Sequence, residues 1–179
     1  KGFKIINIGR LTDQKDQITL LKSINFLKYK MKIKLLILGS GIEQSNLENY
    51  IKENNLGNHV KIKNFIDNPY PYILKSDLFI LSSKYEGLPN VLLEAAVLKK
   101  FIISTNCPTG PKEILLNGKG GYLFSVGDYK KLSKLILLFL KNRNQLKNKI
   151  NYTYKGLFRY DLKRNLMKYY MLLTPFLRS

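Results

Sequence analysis

The chain has 179 residues, 45% of them hydrophobic, and carries 31 Lys and Arg against 12 Asp and Glu, a net charge of +19. That length is one domain by size, and the apolar share is ample for a core. The lone cysteine, Cys107, excludes an internal disulfide; one histidine leaves no metal-ligand cluster to expect, and no apolar run reaches the ~18 residues of a membrane span.

The chain opens Lys1-Gly2-Phe3, without an initiator methionine or a signal-peptide pattern, and is expected to be a domain cut from a longer protein. Phe3 to Gly9 reads as a first strand, with Ile5, Ile6 and Ile8 buried, followed by a helix from Asp16 to Tyr29. Ile33 to Gly39 is a second strand ending in Gly39-Ser40-Gly41, which reads first as a tight strand-to-helix turn lining a cleft. A polar helix over Glu43 to Asn54 places Leu47, Tyr50 and Ile51 inward. Val60 to Phe65 alternates like an edge strand; His59, just before it, is expected at the surface without a role. Asn68 to Lys75 forms a short helix or turn.

Asp77 to Ser82 is a strand covered on both faces, since Leu78, Phe79, Ile80 and Leu81 are apolar without a break. A polar loop follows, then a helix expected to open at Pro89, whose missing N–H suits the first helical position. Glu86 in the loop and Glu94 in the helix bracket this turn, with seven residues between them. Glu94 falls one turn beyond Asn90 on the same helix face, about 6 Å further along the axis. The N–H groups of Asn90, Val91 and Leu92 have no helical acceptor, and with the helix dipole they favour a phosphate. On spacing alone, the two acids read first as a solvated loop acid and a helix-surface acid.

Phe101 to Thr105 is a further strand, and Asn106 to Gly110 a turn-rich loop in which Glu113, just beyond, is expected to secure backbone. Cys107 reads as a small packed residue. Tyr122 to Phe124 is a short strand, and Asp128 caps a helix to Leu140 with a stripe of Leu132, Leu135, Ile136 and Phe139. Phe158, Leu162, Leu166, Tyr169 and Leu173 repeat at helical spacing, predicting one amphipathic helix. Strands alternating with helices, and glycines at the strand ends, predict an α/β doubly wound parallel Rossmann-like sheet. Its core spans about 1–140, with a helical segment over about 141–179. From residue 141 on, ten Lys or Arg face one acid, Asp161. Such an excess suits an anionic membrane surface or a solvated face. No nucleic-acid-binding motif is apparent, and no nucleic-acid partner is expected.

The segments Asn68-Pro69-Tyr70-Pro71-Tyr72, Ser82-Ser83, Glu86-Gly87-Leu88-Pro89-Asn90-Val91-Leu92-Leu93-Glu94-Ala95 and Asn106-Cys107-Pro108-Thr109-Gly110-Pro111-Lys112-Glu113-Ile114 resemble the EX7E region of family-4 retaining glycosyltransferases. Their order over roughly the first 130 residues is similar to the bacterial branch that assembles capsule, lipopolysaccharide and other surface glycans. Many relatives carry glycine where Pro89 stands, which leaves the donor's identity more open than its phosphates.

The resemblance implies the carboxyl-terminal, donor-binding half of a GT-B enzyme. An amino-terminal acceptor domain would lie outside this chain, so the chain alone is expected to transfer nothing. It implies a nucleoside-diphosphate sugar, UDP-sugar favoured, from which a hexosyl or N-acetylhexosaminyl residue passes with retention to a glycan or lipid-linked acceptor, with no metal or other cofactor. Arg10 and Lys15, beside Gly9, would hold the diphosphate, and together with Glu86 form the expected catalytic set. Glu86, Gly87 and Leu88 would face the sugar, Pro89, Asn90 and Val91 the phosphates, Glu94 the ribose, Phe65 and Ile66 the base, and Thr109 and Gly110 the sugar or phosphate. The location implied is cytoplasmic, peripheral on the inner membrane, and the last helix would pack on the absent domain. Three other readings compete. A glycoside hydrolase also uses two carboxylates but does not need Arg10. A sugar-nucleotide epimerase needs no acceptor, and a basic lipid- or nucleic-acid-binding module ignores nucleotide sugars.

Overall fold

The computed structural model describes residues 2–177. Six strands form one sheet: β1 (Phe3–Ile8), β2 (Ile33–Leu38), β3 (Val60–Lys63), β4 (Leu78–Leu81), β5 (Ile102–Thr105) and β6 (Tyr122–Phe124). All neighbours are parallel, in the order β3-β2-β1-β4-β5-β6, so the expected doubly wound sheet is present. The order reverses between β1 and β4, the point at which loops from the two strands diverge and leave a crevice.

The helices are α1 (Gln17–Leu27), α2 (Gln44–Glu53), α3 (Tyr70–Lys75), α4 (Asn90–Val97), α5 (Pro111–Ile114), α6 (Tyr129–Asn142), α7 (Lys147–Gly156) and α8 (Leu162–Leu177). Alternation along the strands sorts them onto two faces. Ile5, Leu35, Ile37, Leu78, Ile80 and Ile103 pack one core with Leu20, Ile24 and Leu27 of α1 and Leu132, Ile136 and Phe139 of α6. Ile6, Phe79, Leu81 and Ile102 pack the other with Ile73 of α3, Leu92, Ala95 and Ala96 of α4, and Ile114 of α5. β4 is buried at all four residues, as its unbroken apolar run requires. Asp128 caps α6 as expected, accepting the Lys131 amide at 2.8 Å.

Some expectations are corrected. Pro89 precedes the helix instead of opening it; its ψ of 95° is extended, and Asn90 is the first helical residue. β3 stops at Lys63, leaving Phe65 72% exposed in the next loop. His59 is half-buried, its Nδ1 3.1 Å from the Ile33 carbonyl oxygen, because its own carbonyl accepts the Leu35 amide at the start of β2. Glu113 is exposed on α5 and its carboxylate takes no hydrogen bond among the described residues; its main-chain carbonyl accepts from the Leu116 amide at 3.1 Å and from Arg159 at 3.0 Å. The single amphipathic helix over Phe158–Leu173 is divided. Phe158 lies in a 3-10 turn (Leu157–Tyr160), and Asp161 then caps α8 by accepting the Arg164 amide at 2.8 Å. Leu162, Leu166, Tyr169 and Leu173 of α8 stay exposed. No helix among the described residues is long and apolar enough to cross a membrane.

Candidate functional site

The crevice at the carboxyl ends of β1 and β4 is lined by two loops, residues 9–16 after β1 and 82–89 after β4. The first is clamped from behind by Gly39-Ser40-Gly41. The Leu11 amide donates to the Ser40 carbonyl at 2.9 Å and the Glu43 amide to the Leu11 carbonyl at 3.0 Å. A Cβ on Gly39 would fall 1.9 Å from the Gly9 carbonyl oxygen, and one on Gly41 2.3 Å from that of Leu11. Only glycine lets the chains approach so closely. The turn therefore fixes the loop that carries Arg10.

The two loops are tied to one another across the crevice. The Lys84 amide donates to the Gln14 carbonyl at 2.8 Å, Gln14 Nε2 to the Tyr85 carbonyl at 3.0 Å, and Ser82 Oγ to the Lys15 carbonyl at 2.8 Å. Lys84 also pairs with Asp13. At the centre, Lys15 Nζ lies 2.6 Å from Glu86 Oε1 in an ion pair whose side chains are only 16% and 7% exposed. Ser83 Oγ donates to that same oxygen at 2.6 Å. The loop after β5 supports the arrangement, since Thr109 Oγ1 donates to the Glu86 carbonyl. Gly110 sits so close that a Cβ would lie 2.2 Å from the Gly87 carbonyl oxygen and 2.7 Å from Pro89 Cδ. Cys107 is packed beneath, and burial pushes its thiol up.

At the start of α4, the Leu92 amide is not free as expected; it donates to the Pro89 carbonyl at 2.9 Å. The amides of Asn90 and Val91 find no acceptor among the described residues. One turn on, Glu94 is half-buried, its carboxylate takes no hydrogen bond or ion pair among the described residues, and burial raises that carboxyl above the ordinary glutamate range. It closes a hollow of about 210 Å³ floored by Ile8 and Leu38 and walled by Phe65, Ile66 and Val91.

The sequence-predicted residues thus fall into two groups. Lys15, Glu86, Thr109 and Gly110 form one cluster, while Phe65, Ile66, Val91 and Glu94 share the hollow. Gly87, Leu88 and Asn90 are exposed at the mouth of α4, and Gly9 lies half-buried against the Lys15 stem. The Arg10 guanidinium is exposed and unpaired among the described residues, although its carbonyl accepts Gln17 Nε2 at 2.9 Å. Sequence reasoning quoted Ser83 without a role, and missed Asp67, which also lines the hollow. No group of three His, Cys, Asp or Glu among the described residues is arranged to hold a metal.

The chain is 44% identical over 115 residues to an uncharacterized glycosyltransferase of Methanocaldococcus jannaschii, covering 64% of the chain and 28% of that protein. It is 29% identical over 168 residues to the N-acetylgalactosamine-N,N'-diacetylbacillosaminyl-diphospho-undecaprenol 4-alpha-N-acetylgalactosaminyltransferase of Campylobacter jejuni, covering 92% of the chain and 46% of the enzyme. The chain therefore spans well under two thirds of the curated relatives it matches. Anabaena HepE, solved in complex with UDP, has the same fold, with a TM-score of 0.88 at 19% identity over 97% of the chain and 49% of HepE. A family model, glycosyl transferases group 1, matches residues 1–156, and the chain belongs to that family.

Proposed function

We propose that this chain is the donor-binding half of a retaining glycosyltransferase that moves a hexosyl or N-acetylhexosaminyl residue from a nucleoside diphosphate, UDP favoured, to a glycan or lipid-linked acceptor in surface-polysaccharide assembly. The observation that carries the reading is Glu94, an unpartnered, half-buried carboxylate that closes a hollow walled by Phe65 and Ile66, one turn from two unsatisfied amides. A carboxylate in that state lacks donors, and a ribose diol supplies two. The base then lies against Phe65 and Ile66, and the phosphates lie at Asn90 and Val91, where free amides and helix dipole favour negative charge.

Arg10, exposed and unpaired, is available to fork onto phosphate oxygens. Lys15, five residues on in the same loop, exchanges its Glu86 partner for phosphate when donor arrives. These cations and the α4 amides stabilise the leaving diphosphate without a bound metal, and Glu86 receives the sugar hydroxyls. The UDP bound by HepE and the lipid-linked acceptor of the Campylobacter enzyme support the donor and acceptor classes. An amino-terminal domain would supply the acceptor site, so the chain alone binds donor without transferring it. The exposed face of α8 packs on that domain, and the basic helical segment draws the enzyme to the cytoplasmic face of an anionic membrane.

Thermal-shift titration against UDP, GDP, ADP and their sugars tests this. A ligand at 100 times its dissociation constant stabilises the folded state by about 2.7 kcal/mol, so a UDP-sugar should raise the melting temperature clearly. If no nucleotide does so, the reading is wrong.

A further inference from the structure

We infer that Ser83 is the positioning residue of the sugar subsite, fixing Glu86 so that only its Oε2 is left to meet the donor sugar; this rests on the function proposed above. Ser83 is fully buried just beyond β4. Its carbonyl accepts Thr105 Oγ1 from β5 at 2.7 Å, which pins its main chain to the sheet. Its hydroxyl donates to Glu86 Oε1 at 2.6 Å, and the Lys15 ammonium reaches the same atom at 2.6 Å. A carboxylate only accepts, so the serine hydroxyl is necessarily the donor. Oε1 thus has two donors, whereas Oε2 has none among the described residues.

The two partners of Oε1 differ in permanence. Lys15 is a flexible cation beside a diphosphate site, and a phosphate competes for it. Ser83 is short and buried, and its hydroxyl donates to Glu86 alone among the described residues. When phosphates draw Lys15 away, Ser83 is what keeps the Glu86 carboxylate in its plane. Glu86 then presents one oxygen, as an acceptor, to a hydroxyl of the transferred sugar. Ser83 therefore serves sugar recognition and leaves nucleotide recognition, at Glu94 and the α4 amides, untouched. A serine that merely packed the end of β4 would not make that distinction.

The test is calorimetric titration of the chain with UDP, UDP-glucose and UDP-N-acetylglucosamine, for the wild type, Ser83→Ala, Glu86→Ala and the double variant. Ser83→Ala is expected to weaken the better-bound UDP-sugar about tenfold, the loss of one hydrogen bond to a charged group, while UDP affinity stays within about twofold. In the Glu86→Ala background, Ser83→Ala should change nothing further, because its effect travels through the missing carboxylate. Three results overturn the inference: unchanged UDP-sugar affinity in Ser83→Ala, an equal loss for UDP, or additive losses in the double variant. A wild type that binds none of UDP, GDP and ADP defeats the parent reading as well, and if another nucleotide binds, its sugars replace the UDP-sugars in the same titrations. Normal UDP binding with an insensitive Ser83→Ala defeats only the role of the serine.

Discussion

The two acids that bracket α4 stand in opposite electrostatic situations. Glu86 is held by Lys15 and Ser83, both at 2.6 Å, and its side chain is only 7% exposed. Glu94, eight residues on, is desolvated by its hollow and has no donor among the described residues. One acid has its burial offset within the protein; the other carries a desolvation cost that no donor among the described residues offsets. The difference separates two jobs within one site. The Glu86 end keeps its geometry without ligand because two loops are stitched across the crevice, whereas the Glu94 end gains most from what it binds.

The largest effect should come from undoing the first situation. Lys15→Met leaves the nearly buried Glu86 carboxylate with the Ser83 hydroxyl as its one partner, and it removes one of the ties between the loops after β1 and β4. Removing one partner of a largely buried pair should lower stability by about 2 kcal/mol, read from the urea midpoint. Adding Glu86→Gln should return about half of that, since no unpaired charge then remains. A Lys15→Met variant as stable as wild type would mean that the pair contributes nothing to holding the crevice.

Glu94 should respond in the reverse sense. Glu94→Ala is expected to weaken UDP about thirtyfold, as two hydrogen bonds to a charged acceptor are lost, with no loss of stability because nothing in the protein depends on that carboxylate. Calorimetry and melting read the two halves of the prediction separately. Unaltered UDP affinity would remove the ribose from this hollow.

How much of this contrast the sequence carries depends on how local the cause is. The unbroken Leu78–Leu81 run predicts a strand covered on both faces, and the alternation over Val60 to Phe65 predicts an edge strand, of which β3 forms the first four residues. The Glu86–Glu94 spacing on one loop and helix is also readable. Lys15 and Glu86, by contrast, are 71 positions apart, and nothing near either one marks it as the other's partner. Their pairing exists because β1 and β4 are neighbours at the reversal of strand order, a property of the whole sheet. The buried, backbone-securing acid expected at Glu113 does not form, because the short α5 leaves that residue exposed. α7 lacked an apolar stripe to announce it, since its buried residues are Thr153 and Gly156.

Arg10 offers a smaller and cleaner effect. Its guanidinium is exposed and unpaired among the described residues, so Arg10→Ala should leave the melting temperature where it is. UDP affinity should fall about tenfold at low salt, one charge-assisted phosphate contact, and the gap should narrow as salt screens an exposed charge. A ratio independent of salt would place Arg10 away from the phosphates.

The smallest effect is one of pH, and its sign divides stability from binding. Burial raises the Glu94 carboxyl in the folded chain above its value in the unfolded one. The folded state therefore holds this proton more tightly. The group contributes stability below the ordinary glutamate range, and that contribution is lost as pH rises through the raised folded value. Against Glu94→Gln, which cannot ionise, wild-type stability should fall slightly across that acidic window and then level off. The change should be slight because the carboxyl is only half-buried. UDP affinity should move the other way over the same window, since a ribose hydroxyl donates better to the ionised acid, and Glu94→Gln should flatten that rise. Opposed slopes in wild type, both absent in Glu94→Gln, would tie the desolvated carboxylate to the nucleotide; parallel slopes would separate them.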